Sequence, residues 1–263
     1  MRRTVEVDGI DVQVEGEGAE TIVMVHGWPD TFRLWDAQVA ALGANYRCVR
    51  FTLPGFDIDK PRRACSLNQM IDAFKRIIEQ ASPDGKAVLM VHDWGCVFGY
   101  QFALRHPSLV TRIVGVDVGD AGTKEHVRSL GAKDKAMVFA YQAWLAIAWR
   151  IGGGLGDRMT RFMARALRSP ADPKFIGSQM NYPYHIQWTG SHGSYRDVVS
   201  FEPACPMLFV YGQRKPFLFH TQAWADRLAA RPGCRVVAMK TGHWVMNKDP
   251  VGLNRVVHDW LAG

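Results

Sequence analysis

Three short stretches of this chain combine residue types that can do chemistry. The first, His26-Gly27-Trp28-Pro29-Asp30, directly follows an apolar run; the second, Val91-His92-Asp93-Trp94-Gly95, ends another; the third, Thr241-Gly242-His243-Trp244, comes late. An acid on a strained strand-to-helix turn is pushed out above its sheet, where a histidine from a later loop can serve as general base. The backbone N–H groups of Trp28 and Trp94 are then candidates to hold an oxyanion. Each stretch alone has a plainer explanation, since a lone histidine is more often structural and an aspartate at a strand end often only caps a helix. Their order, each at the carboxyl end of an expected strand, favours catalysis, with Asp93 as nucleophile and His243 as base. His26 reads as structural, holding its own loop.

The elements that must position these residues are legible as period changes. Thr4 to Val14 alternates around the turn signal Asp8-Gly9 and reads as a β-hairpin. Four β-branched runs follow, Thr21–Val25, Tyr46–Phe51, Lys86–Val91 and Thr111–Val116, separated by helical periodicity such as Leu67–Ala81 behind the capping box Ser66-x-x-Gln69. Met207–Tyr211 and Arg235–Met239 resume the alternation, with amphipathic helices expected at His220–Leu228 and Val251–Leu261. Such alternation implies βαβ units and a parallel sheet. From about Gly119 to Glu202 the sequence offers helix signals, Trp, Tyr and a triple glycine but no convincing strand. The expected organisation is a core of residues 1–118 and 203–263 with a helical cap, 119–202, over the carboxyl ends of the strands, where open α/β sheets place ligands.

Bulk properties narrow the class. At 263 residues and 48% hydrophobic content, the chain has enough material for one large domain or a core with an insert. Its formal charge of +7 is spread over scattered Lys and Arg residues, which argues against a nucleic-acid arm or a polybasic membrane patch. The five cysteines are odd in number and without C-x-x-C spacing, as expected of reduced thiols, and no metal site is expected. With no signal-peptide core and no bilayer-length apolar run, the expectation is a cytoplasmic protein without nucleic-acid or membrane partners; a homodimer is left open.

His92-Asp93-Trp94-Gly95 together with His26-Gly27-Trp28-Pro29 resembles the α/β-hydrolases with an aspartate nucleophile, namely epoxide hydrolases and haloalkane dehalogenases. The resemblance covers nearly the whole chain; one departure is Val91, where the family often has glycine. It implies an α/β-hydrolase fold, a mostly parallel eight-stranded sheet flanked by helices, with the cap inserted after the sixth strand. It also implies a cofactor-free reaction on a small apolar epoxide or alkyl halide, with water as co-substrate. A carboxylate attacking a saturated carbon forms an ordinary ester, whereas attack on an ester would give an unstable anhydride, so aspartate at the elbow points to those substrates.

The base needs a carboxylate to fix its tautomer. Many relatives carry it in a Gly-x-x-Asp pattern after the penultimate strand, but here Gly212-Gln213-Arg214-Lys215 puts a lysine there. Some dehalogenases place the acid after the strand that follows the nucleophile, and Asp117 stands at the interval the resemblance leads one to expect. Asp120 is its rival, and a pairing of Lys215 with either aspartate is left open. An epoxide also needs an acid for its departing oxygen, which the family supplies from two lid tyrosines. Tyr141, in Phe139-Ala140-Tyr141-Gln142, resembles the first; the second lies in Asn181-Tyr182-Pro183-Tyr184, with Tyr184 favoured and Tyr182 competing. A halide would need only N–H donors. Trp28 stands where many dehalogenases keep asparagine, although Trp94, or Trp144, Trp149 or Trp188 of the insert, could donate. Epoxide hydrolysis is the first reading, haloalkane dehalogenation the second, and a non-catalytic hydrolase-fold binding protein the third. A fluoroacetate-type dehalogenase is disfavoured, since such enzymes favour arginine after the nucleophile.

Overall fold

The computed structural model describes residues 2–263. Its strands are β1 (Arg2–Val7), β2 (Ile10–Glu15), β3 (Thr21–Val25), β4 (Arg47–Phe51), β5 (Ala87–His92), β6 (Val110–Val116), β7 (Met207–Gly212) and β8 (Arg235–Met239). They form one eight-stranded sheet in the order β1-β2-β4-β3-β5-β6-β7-β8. Only β1–β2 and β2–β4 pair antiparallel; every later pair is parallel. Each strand therefore agrees with the sequence reading to within two residues at either end.

The helices are α1 (Asp36–Leu42), α2 (Leu67–Ala81), α3 (Trp94–Arg105), α4 (Lys124–Ser129), α5 (Ala132–Ile151), α6 (Gly153–Ala166), α7 (Tyr182–Thr189), α8 (Gln222–Ala229), α9 (Val245–Lys248) and α10 (Pro250–Ala262). Ser66 accepts from the Gln69 N–H while the Gln69 side chain returns the bond, so the capping box starts α2 where the sequence indicated. Helices cover both faces of the sheet, which is why its central strands read as continuous apolar runs. In β5, Leu89 and Val91 pack into one layer with Phe74 of α2, Phe98 and Phe102 of α3 and Trp224 of α8. The alternate residues Val88 and Met90 pack into the other, with Val39 and Leu42 of α1 and Leu253, Val257 and Leu261 of α10. Each fully buried side chain of this size contributes roughly 1.5–3 kcal/mol, so a one-residue slip of β5 would exchange its two faces and unseat the turn that follows.

Between β6 and β7 the chain runs through α4 to α7, and among the described residues this segment contains no strand. It reaches the carboxyl ends of the sheet directly. The Tyr182 hydroxyl donates to the Pro54 carbonyl beyond β4 at 2.9 Å, and the Asn181 carboxamide accepts from the Trp28 indole beyond β3 at 2.7 Å.

Candidate active site

Asp93 joins β5 to α3 with φ 53° and ψ −123°, a conformation that costs a non-glycine residue about 1–3 kcal/mol and is kept where the surroundings over-determine it. Two glycines make the turn feasible. A Cβ on Gly27 would collide with the Asp93 carboxylate, and one on Gly95 with the carbonyls of Val25 and His26. The carboxylate sits at the N-terminus of α3, where the helix dipole favours negative charge. Its Oδ1 accepts from the Trp28 N–H at 2.6 Å, and the adjoining Trp94 N–H favours its charged form. Burial alone would raise the Asp93 pKa, but the His243 hydrogen bond and charge outweigh it and hold the carboxyl below its ordinary value. Of the two backbone donors expected from the sequence, the Trp28 N–H is thus hydrogen-bonded to this carboxylate.

Oδ2 of Asp93 faces His243 Nε2 at 3.6 Å, with the side chains 19% and 15% exposed, so the pair is reachable from solvent without being open to it. On the other side of the ring, Nδ1 donates to Asp117 Oδ2 at 2.5 Å. Asp117 is completely buried. Its φ is +71°, a second strained non-glycine residue, and its Oδ1 accepts from the Gly212 N–H at 2.9 Å. Burial would lower the pKa of His243, yet hydrogen bonds to Asp117 and Asp93 raise it to about 9. Flanked by two carboxylates, the resting imidazole is protonated at neutral pH. Asp120, the rival acid, faces elsewhere: it takes the N–H and hydroxyl of Thr221 at 2.7 and 2.8 Å and anchors the start of α8.

The two tyrosines of α7 part company. Tyr184 packs edge-on against Trp28, Trp94 and Tyr141, with ring centroids 6.1, 5.4 and 6.1 Å away. Burial, then the nearby Asp93 charge, drives its pKa well above the ordinary 10; burial likewise pushes Tyr141 to about 12. Both phenols are therefore neutral donors at any working pH. Tyr182, which competed with Tyr184 as the second lid tyrosine and substrate contact, is placed as a packing residue. It is fully buried, its hydroxyl is committed to Pro54, and its ring lies against Phe56 and Trp149.

Several neighbours escaped the sequence reading. The His92 ring lies tilted 4.4 Å from the His243 ring and donates from Nε2 to the His243 carbonyl at 3.1 Å; burial lowers its pKa to about 3, so it is neutral. Asp30 accepts from the Trp244 indole at 2.9 Å, and burial raises its carboxyl to about 7. Asn181 holds the Trp28 indole. All three lie inside the short motifs read from the sequence, but nothing in those motifs assigns Asp30, His92 or Asn181 a partner. His26 behaves as read: Nε2 accepts from the Leu53 N–H and Nδ1 meets the Gly27 carbonyl, at 2.9 and 2.8 Å, and burial keeps it neutral with a pKa of about 4.

Residues 20–148 match the model of a family described as alpha/beta hydrolase fold. The match covers just under half of the chain, and the sheet order and flanking helices are those of the α/β-hydrolase fold. A 126-residue stretch is 31% identical to a protein named probable oxidoreductase EphD of Mycobacterium tuberculosis, over 46% of this chain and 21% of the other. A 115-residue stretch is 27% identical to epoxide hydrolase 1 of Caenorhabditis elegans, over 43% of this chain and 28% of the other. The chain thus spans under a third of either relative. Among solved structures, a variant of an epoxide hydrolase from Bacillus megaterium, complexed with its product, superposes with a TM-score of 0.75 at 18% identity, covering 99% of this chain and all of that one.

Proposed function

We propose that the chain is an epoxide hydrolase working through a covalent Asp93 ester, with residues 119–202 as its cap. Asp93 Oδ1 is tethered to the Trp28 N–H while Oδ2 is left to attack an epoxide carbon in line. As the C–O bond breaks, its electron pair goes to the ring oxygen, which takes a proton from Tyr184 or Tyr141. Esterification removes the charge of Asp93, so His243 loses one of the two carboxylates that hold its proton and passes that proton to the strongly basic tyrosinate. The now neutral imidazole, oriented by Asp117, takes a proton from water. Hydroxide adds to the Asp93 carbonyl carbon, and the oxyanion develops at Oδ1 between the Trp28 and Trp94 N–H groups. Collapse expels the alkoxide, which takes the proton left on the carboxyl. A vicinal diol leaves, with Asp93 ionised, His243 protonated and both tyrosines neutral, as at the start.

The observation that carries this reading is the placement of Tyr184 against Trp94 and Trp28, next to Tyr141, over the nucleophile. Haloalkane dehalogenation remains the second reading because the first half-reaction differs only in its leaving group. It is disfavoured because two of the insert's three candidate indoles are placed elsewhere: Trp144 donates to the Met159 carbonyl at 3.0 Å, and Trp188 is 46% exposed against Phe139. The Trp28 indole is already bonded to Asn181. Styrene oxide and a 1-bromoalkane, assayed side by side, decide between them. Diol from the epoxide without bromide release is expected; bromide without diol would overturn the proposal.

A further inference from the structure

The position where a triad acid was expected after β7 holds Lys215, and its side chain is aimed at the acid that replaces it. Nζ lies 2.5 Å from Asp117 Oδ2, the same oxygen that accepts from His243 Nδ1 at 2.5 Å, and the two side chains are 7% and 0% exposed. Nζ has no hydrogen-bond partner of good geometry among the described residues, so Asp117 is the anion that compensates its burial. The ammonium also lies 4.8 Å from the centre of the Phe219 ring, which lies 5.3 Å from that of His243. A buried cation with a single anionic partner is costly unless it neutralises a charge that must itself be buried.

We propose that Lys215 is a positioning residue of this site: acting through Asp117, it sets how readily the His243 ring gives up and takes up its proton. Charge balance gives the reason. In the resting site, two carboxylates face one ammonium and one imidazolium. Of the other ionisable neighbours, His92 and His220 are held neutral by burial, with pKa values of about 3 and 4, while Asp30, bonded to Trp244 and raised by burial to about 7, is the one whose own charge varies near neutral pH. Once Asp93 is esterified, Asp117 and Lys215 cancel, and the site is balanced only with His243 unprotonated, the form that can activate water. Without Lys215 the balanced ester would hold an imidazolium, which is useless as a base. The part of this inference that concerns the ester rests on the function proposed above; the part that concerns His243 in the resting protein does not.

The two are separated by titrating the His243 ring by 15N NMR in the free protein, alongside single-turnover decay of the ester. In Lys215→Met the His243 midpoint should rise by about one pH unit or more, a tenfold gain in proton affinity. Ester decay at pH 7 should slow about tenfold and recover at alkaline pH. Lys215→Arg should restore both. Should Lys215→Met fail to fold, Lys215→Gln carries the same expectation. A midpoint unchanged or lowered in the uncharged variant, or a rate loss equal at every pH, would overturn the proposal. A shifted midpoint in a protein that opens no epoxide would sustain it while removing the epoxide reading.

Discussion

The sheet end and the segment that covers it solve the same problem, holding a few side chains in place, by different means. At the sheet end the backbone does the positioning: Asp93 and Asp117 both sit at positive φ, 53° and 71°, directly after parallel strands, and N–H groups of Trp28 and Gly212 fix their carboxylates. In the helical segment between β6 and β7 the positioning is by ring packing, Tyr184 resting on Trp94 and Trp28 and meeting Tyr141 edge-on. Backbone anchoring suits the groups whose charge changes during reaction, because their geometry cannot relax without breaking the sheet. Packing suits the groups that only donate a proton, and it leaves substrate shape free to vary.

The contrast can be broken from the side of the sheet. Asp117→Asn should cost about 10³–10⁴ in kcat, since it leaves the ring without its anionic orienter. It should also lower the His243 midpoint from about 9, because it removes a group that favours the imidazolium. Asp120→Ala should leave turnover near that of the parent while destabilising the fold by about 1–3 kcal/mol, the cost of orphaning the Thr221 donors. Equal losses of activity in the two variants would undo the assignment.

From the side of that helical segment, Tyr184→Phe should lower epoxide turnover about 10- to 100-fold, part of the 10²–10⁴ typical of a general acid, because Tyr141 remains. Tyr182→Phe should keep activity and lose only about 1 kcal/mol of stability with its bond to Pro54, read as a shift in urea midpoint. The smallest expected effect is on pH. His243 has a folded pKa above its ordinary 6.5, at about 9, so its contribution to stability is complete below 6.5 and fades as pH rises through 9. Urea midpoints should show the parent losing its advantage over His243→Gln across that window.

How much of this was legible in the sequence follows the same division. The sheet and its three turns were readable because each strand is bounded by a change of period, and because a residue at a strand end has its place fixed by the strand. Asp117 could be chosen over Asp120 only through an interval, and the structure separates them by what each carboxylate binds. Tyr182 and Tyr184 were indistinguishable in the same way. Two residues apart on a helix they point to nearly opposite sides, and which side faces the nucleophile depends on how α7 docks, which no local pattern records. The tie between Lys215 and Asp117 could be raised only as an open pairing with either aspartate, because it joins the ends of two neighbouring parallel strands far apart in sequence.

The central claim is that Asp93 attacks carbon and that His243 is needed only to free it again. It is tested most directly by incubating His243→Gln with styrene oxide and mapping the adduct by peptide mass spectrometry. The expected result is one equivalent of substrate mass on the peptide carrying Asp93, lost when Asp93→Asn is added to the same protein. An unmodified Asp93 peptide in a folded His243→Gln protein, or an adduct that survives Asp93→Asn, would contradict it.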